Sequence, residues 1–137
     1  MSRLLQGDVR EIELGTDRYD IVLAAAVLHH LRDESDWKFV FTKIFDAVSP
    51  NGSFWISDMI SHDIPVIHEL MWEKYGRYLE TLGGREYRAK VFAYIDKEDS
   101  PRSLTYQLKL MRKVGFEKVD VLHKSSCFAA FGGIKTG

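Results

Sequence analysis

The stretch AAAVLHHLRDE, residues 24–34, sets a histidine pair directly behind an apolar run. An unperturbed imidazole titrates near about pH 6.5, so His29 and His30 have the residue type suited to moving a proton near neutrality or to ligating a metal. Spacing argues against the metal. Two adjacent histidines reach one ion only with difficulty, and no cysteine or carboxylate sits at ligand spacing around them, so no metal site is expected. The single cysteine, Cys127, lies in the apolar run CFAAFGGI and reads as a small buried hydrophobe rather than a nucleophile. With neither a CxxC pair nor a G-x-S-x-G elbow, redox and hydrolase chemistry have little support.

The elements that must position these residues follow from apolar patterning. Tyr19 to Val27 has no polar side chain after Asp20, the pattern of a strand buried on both faces in a parallel sheet. RLLQGDV before it reads as the tail of an earlier strand. After the histidines, Asp33 or Ser35 is placed to cap a helix in which Trp37, Val40, Phe41, Ile44, Phe45 and Val48 recur at three- and four-residue spacing. SPNG stops that helix, and SFWISDMI is the next strand, carrying Asp58 toward its end. Ile67, Leu70, Met71, Tyr75, Tyr78 and Leu79 trace a helical stripe from Pro65 to Leu82, which Gly83 and Gly84 end. A shorter helix covers roughly Glu86 to Ile95, and DKED behind it reads as a solvated link. Ser100 and Pro101 look like an N-cap and first turn, opening a helix with Leu104, Leu108 and Met111 that closes at Gly115. FEKVDVLHK and CFAAFGGIK, joined by Ser125 and Ser126, require an antiparallel hairpin. The class is α/β, in the order β, β, α, β, α, α, α, β, β.

Bulk properties agree with one soluble domain. The 137 residues are 45% hydrophobic and 28% charged, with a net charge of −1, which excludes disorder and a nucleic-acid partner recruited by bulk charge. The longest apolar run, Ile21 to Leu28, is far short of the roughly 20 residues of a membrane span. Arg3, Asp8 and Arg10 interrupt any secretory signal, so a cytoplasmic location is expected.

Four motifs in order carry a family resemblance: GD after a strand, YDIVLAAAVLHHL with its helix, SPNGSFWISD in place of a Pro-Gly-Gly turn and strand, and the hairpin VDVLHKSSCFAAFGGIK. Together they resemble the C-terminal half of a class I S-adenosylmethionine-dependent methyltransferase, nearest its small-molecule, quinone-biosynthesis-like branch. The resemblance implies a single partial domain over residues 1–137, with a helical acceptor-side insertion over 62–99. Its sheet would be a partial Rossmann-like one, mostly parallel with a C-terminal antiparallel hairpin and helices on both faces. S-adenosylmethionine is the implied cofactor and a small molecule the implied methyl acceptor.

Site roles follow from the same resemblance. Asp8 matches the carboxylate that accepts the adenine amino group, with Val9 against the ring; alternatively Asp8 only completes a turn after Gly7. Ala25 and Ala26, in the small run from Ala24, let the cofactor lie close beyond the strand's carboxyl end, or serve tight helix-on-sheet packing. His30 is the histidine assigned to the cofactor or acceptor pocket, as a cofactor contact and catalytic candidate, while the other packs or turns outward. Asp58 lines the acceptor site as a general base, or caps the segment that follows. Trp72, Tyr75, Tyr78, Tyr87 and Tyr94 roof an aromatic pocket or belong to the core. Because a sulfonium already activates its methyl group, alignment of donor and acceptor is the main requirement, and no strong acid–base dyad is needed.

The family's first strand, glycine-rich loop and acidic ribose ligand have no counterpart here, since no G-x-G lies near the N-terminus and Gly83-Gly84 falls between helices. The expectation is a truncated methyltransferase whose activity and cofactor binding are impaired. The alternative is a non-catalytic remnant that assembles with itself or with a partner supplying the missing half. Ile21 to Val27 then forms an exposed strand edge. Val9 to Arg18 is too short for a parallel crossover of a dozen or more residues, so RLLQGDV pairs there antiparallel or reaches into another copy. A homodimer through this edge is expected.

Overall fold

Periodic apolar runs become strands and helices in the computed structural model, which describes residues 3–137. In chain order these are β1 (Tyr19–Ala25), a 3-10 turn (Leu28–His30), α1 (Glu34–Ala47), β2 (Val48–Met59), α2 (Pro65–Glu98), α3 (Leu104–Val114), β3 (Lys118–Ser125) and β4 (Phe128–Ile134). The strands form one sheet in the order β1-β2-β4-β3. β1 and β2 run parallel, with Ala24 opposite Ile56 and Ala25 opposite Ser57. β4 is antiparallel to both β2 and β3, so the α/β sheet is mixed rather than mostly parallel.

The difference traces to the N-terminal segment. RLLQGDV is not a strand: residues 3–18 join no sheet, and Leu4 is almost fully exposed. Asp8 turns the chain instead, its carbonyl accepting from the Glu11 and Ile12 amides and its carboxylate from the Arg10 amide at 2.8 Å. Such an Asx-type turn takes up the backbone groups that strand pairing would need.

Three aromatics, from α1, β2 and the segment after α3, make the centre of the core. Phe41 of α1 meets Phe54 of β2 edge-on at 5.8 Å, and Phe116, just beyond α3, lies 6.0 Å from Phe54. Trp37, Val40 and Ile44 of α1, Leu110 and Met111 of α3, and Phe131 of β4 complete it. Trp37 also donates its indole N–H to the Leu31 carbonyl, fixing the loop after the histidines. α1 and α3 thus cover one face of the sheet. On β1, Val22 and Ala24 pack against this core while Ile21 and Leu23 are 63% and 74% exposed on the other face. The strand expected to be buried on both faces is therefore buried on one, and helices do not cover both faces of β1.

Helix boundaries moved where backbone geometry overruled composition. α2 runs on through Asp96 to Glu98, past the expected break at Gly83 and Gly84, where its dihedrals turn non-helical. Gly84 has φ +76°, a conformation in which a side chain is strained, so the two arms meet at a kink. Ser103, not Ser100, caps α3: its hydroxyl accepts from the Tyr106 amide at 3.0 Å, and Ser103 is held by a bridge to Ser61. α3 stops at Gly115, which takes φ +132°. Ser126, at φ +48°, and Cys127 make the two-residue turn of the terminal hairpin. No helix among the described residues is long and apolar enough to cross a membrane.

Candidate functional site

The parallel pair β1 and β2 ends in a cluster of two histidines and two aspartates. The chain leaves β1 through Ala26, which takes φ +54° and donates its amide to the Ser57 carbonyl, and then makes the single 3-10 turn that carries both histidines. His29 turns inward and is buried; His30 turns outward, with its side chain 52% exposed. Asp58, alternating on the core-facing side of β2, meets His29 from below. Its Oδ1 lies 2.5 Å from His29 Nδ1, and its Oδ2 accepts from the His29 amide at 3.2 Å. Asp58 Oδ1 also accepts from the Met59 amide at 2.7 Å.

Asp99, directly after α2, closes the cluster from above. Its Oδ1 is 2.9 Å from His30 Nδ1 and 3.7 Å from His29 Nε2, and its side chain is buried. The Ser100 amide donates to the His29 carbonyl at 2.7 Å and holds the two loops together. Burial disfavours a charged His29, but the hydrogen bond to Asp58 and the charges of Asp58 and Asp99 outweigh it and raise its pKa.

Sequence reasoning missed Asp99. Its setting in DKED reads as a charged surface link, and only the run of α2 to Glu98 carries it into the interior. The expectation that no carboxylate stands near the histidine pair is corrected accordingly: Asp58 and Asp99 both do, delivered from distant parts of the chain.

Beside the cluster lies a cavity of about 390 Å³ whose wall includes Ser61, His68, Trp72, Phe92, Asp96 and Asp99. That is within the range of small-molecule sites. Of the five aromatics expected to roof a pocket, Trp72 lines this one. Tyr75 and Tyr78 line a separate groove beside Phe128, where Tyr75 packs edge-on at 4.9 Å, and Tyr87 and Tyr94 are exposed. Phe92 and His68 take the places that the pattern assigned to tyrosines.

The residues matched to a cofactor sit on the other side of the histidines. Ala25 and Ala26 are exposed at the carboxyl end of β1. Asp8 and Val9 are half-buried in the turn against α1, where Lys43 Nζ donates to the Val9 carbonyl at 3.0 Å. The Asp8 carboxylate takes hydrogen bonds from Arg10 Nε and Nη2, and Arg10 reaches on to Asp36 at 3.2 Å. The Arg10 guanidinium and amide hold the Asp8 carboxyl down at about 2. Cys127 is fully buried, and burial pushes its thiol up to about 12.

Residues 2–56 match the profile of a family described as a methyltransferase domain. That span takes in the Asp8 turn, β1, the histidine pair, α1 and most of β2. Solved structures extend the likeness to nearly the whole chain. A possible exported protein from Bordetella parapertussis has a TM-score of 0.66 at 11% identity, over 96% of this chain and 43% of that one. The S-adenosylmethionine-dependent methyltransferase SibL, in its apo form, gives 0.65 at 16% identity, over 96% and 35%. Human N-acetylserotonin methyltransferase, in complex with S-adenosylmethionine, gives 0.63 at 16% identity, over 97% and 33%. No curated protein matches the sequence. At such identities the likeness is one of fold: the chain has the α/β arrangement of methyltransferases and spans 33% to 43% of these proteins' length.

Proposed function

We propose that this chain carries the acceptor side of an S-adenosylmethionine-dependent methyl-transfer site for a small molecule, of the quinone-biosynthesis-like kind. The observation that carries the reading is the place of the His29–Asp58–Asp99–His30 cluster. It stands between the exposed carboxyl end of β1, where open α/β sheets bind ligands, and a cavity of about 390 Å³. Ala25, Ala26, Asp8 and Val9 are the cofactor contacts in this reading, with His30 at the boundary. When bound, S-adenosylmethionine supplies an already activated methyl group. The chain's own residues align the acceptor and receive its proton. His30, the exposed imidazole, exchanges that proton with solvent, while Asp58 acts through His29, holding it in place.

One observation supports a weakened form of this activity: Arg10 occupies the Asp8 carboxylate. The second reading, a non-catalytic module that assembles with a copy of itself, is favoured by the outer edge of β1, which pairs with no strand among the described residues, and by the exposed Ile21 and Leu23.

Amide spectra recorded with S-adenosylhomocysteine test the first reading. It expects shifts concentrated at Asp8, Val9 and Ala24 to His30. A spectrum that does not change, or changes only on α2 and β3, rules it out.

A further inference from the structure

Asp99 Oδ1 is a buried carboxylate oxygen without a hydrogen-bond partner, although two imidazoles face it. His30 Nδ1 approaches to 2.9 Å, yet not in hydrogen-bonding geometry, and His29 Nε2 stands off at 3.7 Å. The other nitrogen of His29 is already committed to Asp58 at 2.5 Å. With Nδ1–H donated to Asp58, the Nε2 lone pair confronts a carboxylate oxygen. Two acceptors facing each other in a buried place need a positive charge between them, supplied by a proton on Nε2 or by a metal ion that takes the proton's place.

We propose that His29, His30 and Asp99 bind one divalent transition-metal ion of the zinc type, with an open coordination position toward the cavity. One ligand atom from each residue lies within 4.8 Å of the other two. Ligands held at about 2.1 Å around a tetrahedral ion stand about 3.4 Å apart, so small rotations of the histidine rings complete the site. The donor set, two imidazoles and one carboxylate, suits zinc and leaves a vacant position, as in metal centres that take an outside ligand. Asp58 supplies what a histidine ligand requires behind it: a carboxylate on the far ring nitrogen, fixing tautomer and orientation. Asp99 lines the cavity wall, so an oxygen ligand in that cavity, such as a hydroxyl, is within reach of the vacant position. Metal binding stands on this geometry alone. Only its use rests on the methyl-transfer reading: with the ion bound, His30 is a ligand rather than the proton's recipient, and the ion holds an acceptor oxygen beside the methyl donor.

Cobalt(II) titration of the full chain after chelator treatment, followed by visible absorption, tests the site. A band that saturates at one equivalent and is displaced by zinc is expected. Asp99→Asn should weaken binding by about tenfold or more, the scale on which such sites respond even to loss of a supporting partner. His30→Gln should do the same, and because His30 is largely exposed its loss leaves folding intact. A folded wild-type chain without a saturable cobalt band overturns the proposal, as does wild-type affinity in both variants. Titration with S-adenosylhomocysteine on the same samples separates the two ideas: cobalt binding without cofactor binding sinks the methyl-transfer reading and leaves the metal site standing.

Discussion

His29 Nδ1 and Asp58 Oδ1 stand 2.5 Å apart, with both side chains buried, at the point where a parallel strand pair opens into a cavity wall. β1 and β2 are in register through Ala25 and Ser57, so the residues that follow on each strand come side by side. The pair therefore ties the site to the sheet.

Removing one partner of this pair leaves the other buried without its counter-charge. Asp58→Ala should lower stability by about 3 kcal/mol, measured by urea unfolding. In the chelator-treated chain, the His29 pKa lies above 6.5, so its stabilising contribution is complete below about pH 6.5 and is lost as pH rises through the folded-state value. Imidazole resonances should report the raised midpoint in the wild type and a lower one in Asp58→Asn. Equal midpoints in the two proteins contradict this assignment.

Asp8 should titrate at about pH 2, below its ordinary 3.8, because Arg10 hydrogen-bonds to the charged form. A depressed carboxyl contributes its stability above the unfolded value and loses it as pH falls toward 2. Arg10→Ala should return the carbon-detected midpoint toward 3.8 and free the carboxylate for an adenine amino group. A midpoint unmoved by the substitution contradicts the pairing.

Cys127, fully buried with its thiol pushed up to about 12, should resist alkylation at pH 8 in the native chain and react only on unfolding. Mass spectrometry after iodoacetamide treatment, with and without urea, measures this directly. Rapid labelling of native protein is the opposing result.

Among the described residues no strand pairs with the outer edge of β1, and Leu23 is exposed beside it. We propose that two copies pair along this edge, and sedimentation at micromolar concentration should find a dimer. Leu23→Lys should shift the equilibrium toward monomer. A folded wild-type monomer at that concentration refutes the interface.

What could be read from residues alone was local. β1, α1, the end of β2 and the terminal hairpin are legible because periodic side chains and turn residues agree there: Trp37, Val40, Phe41 and Ile44 form the stripe that reaches the core. Residues 3–18 were not, since Leu4 and Leu5 look like a strand while Asp8 binds its own neighbourhood's amides. Asp58 and the histidine pair could be singled out by type and position. Their joining could not, because it depends on the register of β1 against β2. Asp99 was hidden in a charged run, since charge says nothing of burial when a helix end is pressed against a loop. The cavity escaped for a related reason: Phe92 meets Trp72 and His68 only after α2 folds back at Gly84.

The central claim, that these elements form part of a methyl-donor site, is tested most directly by calorimetric titration of the full chain with S-adenosylhomocysteine. The account predicts saturable binding with a dissociation constant of about 100 μM or tighter, about 5.5 kcal/mol or more. A folded chain that gives no heat across that range contradicts it.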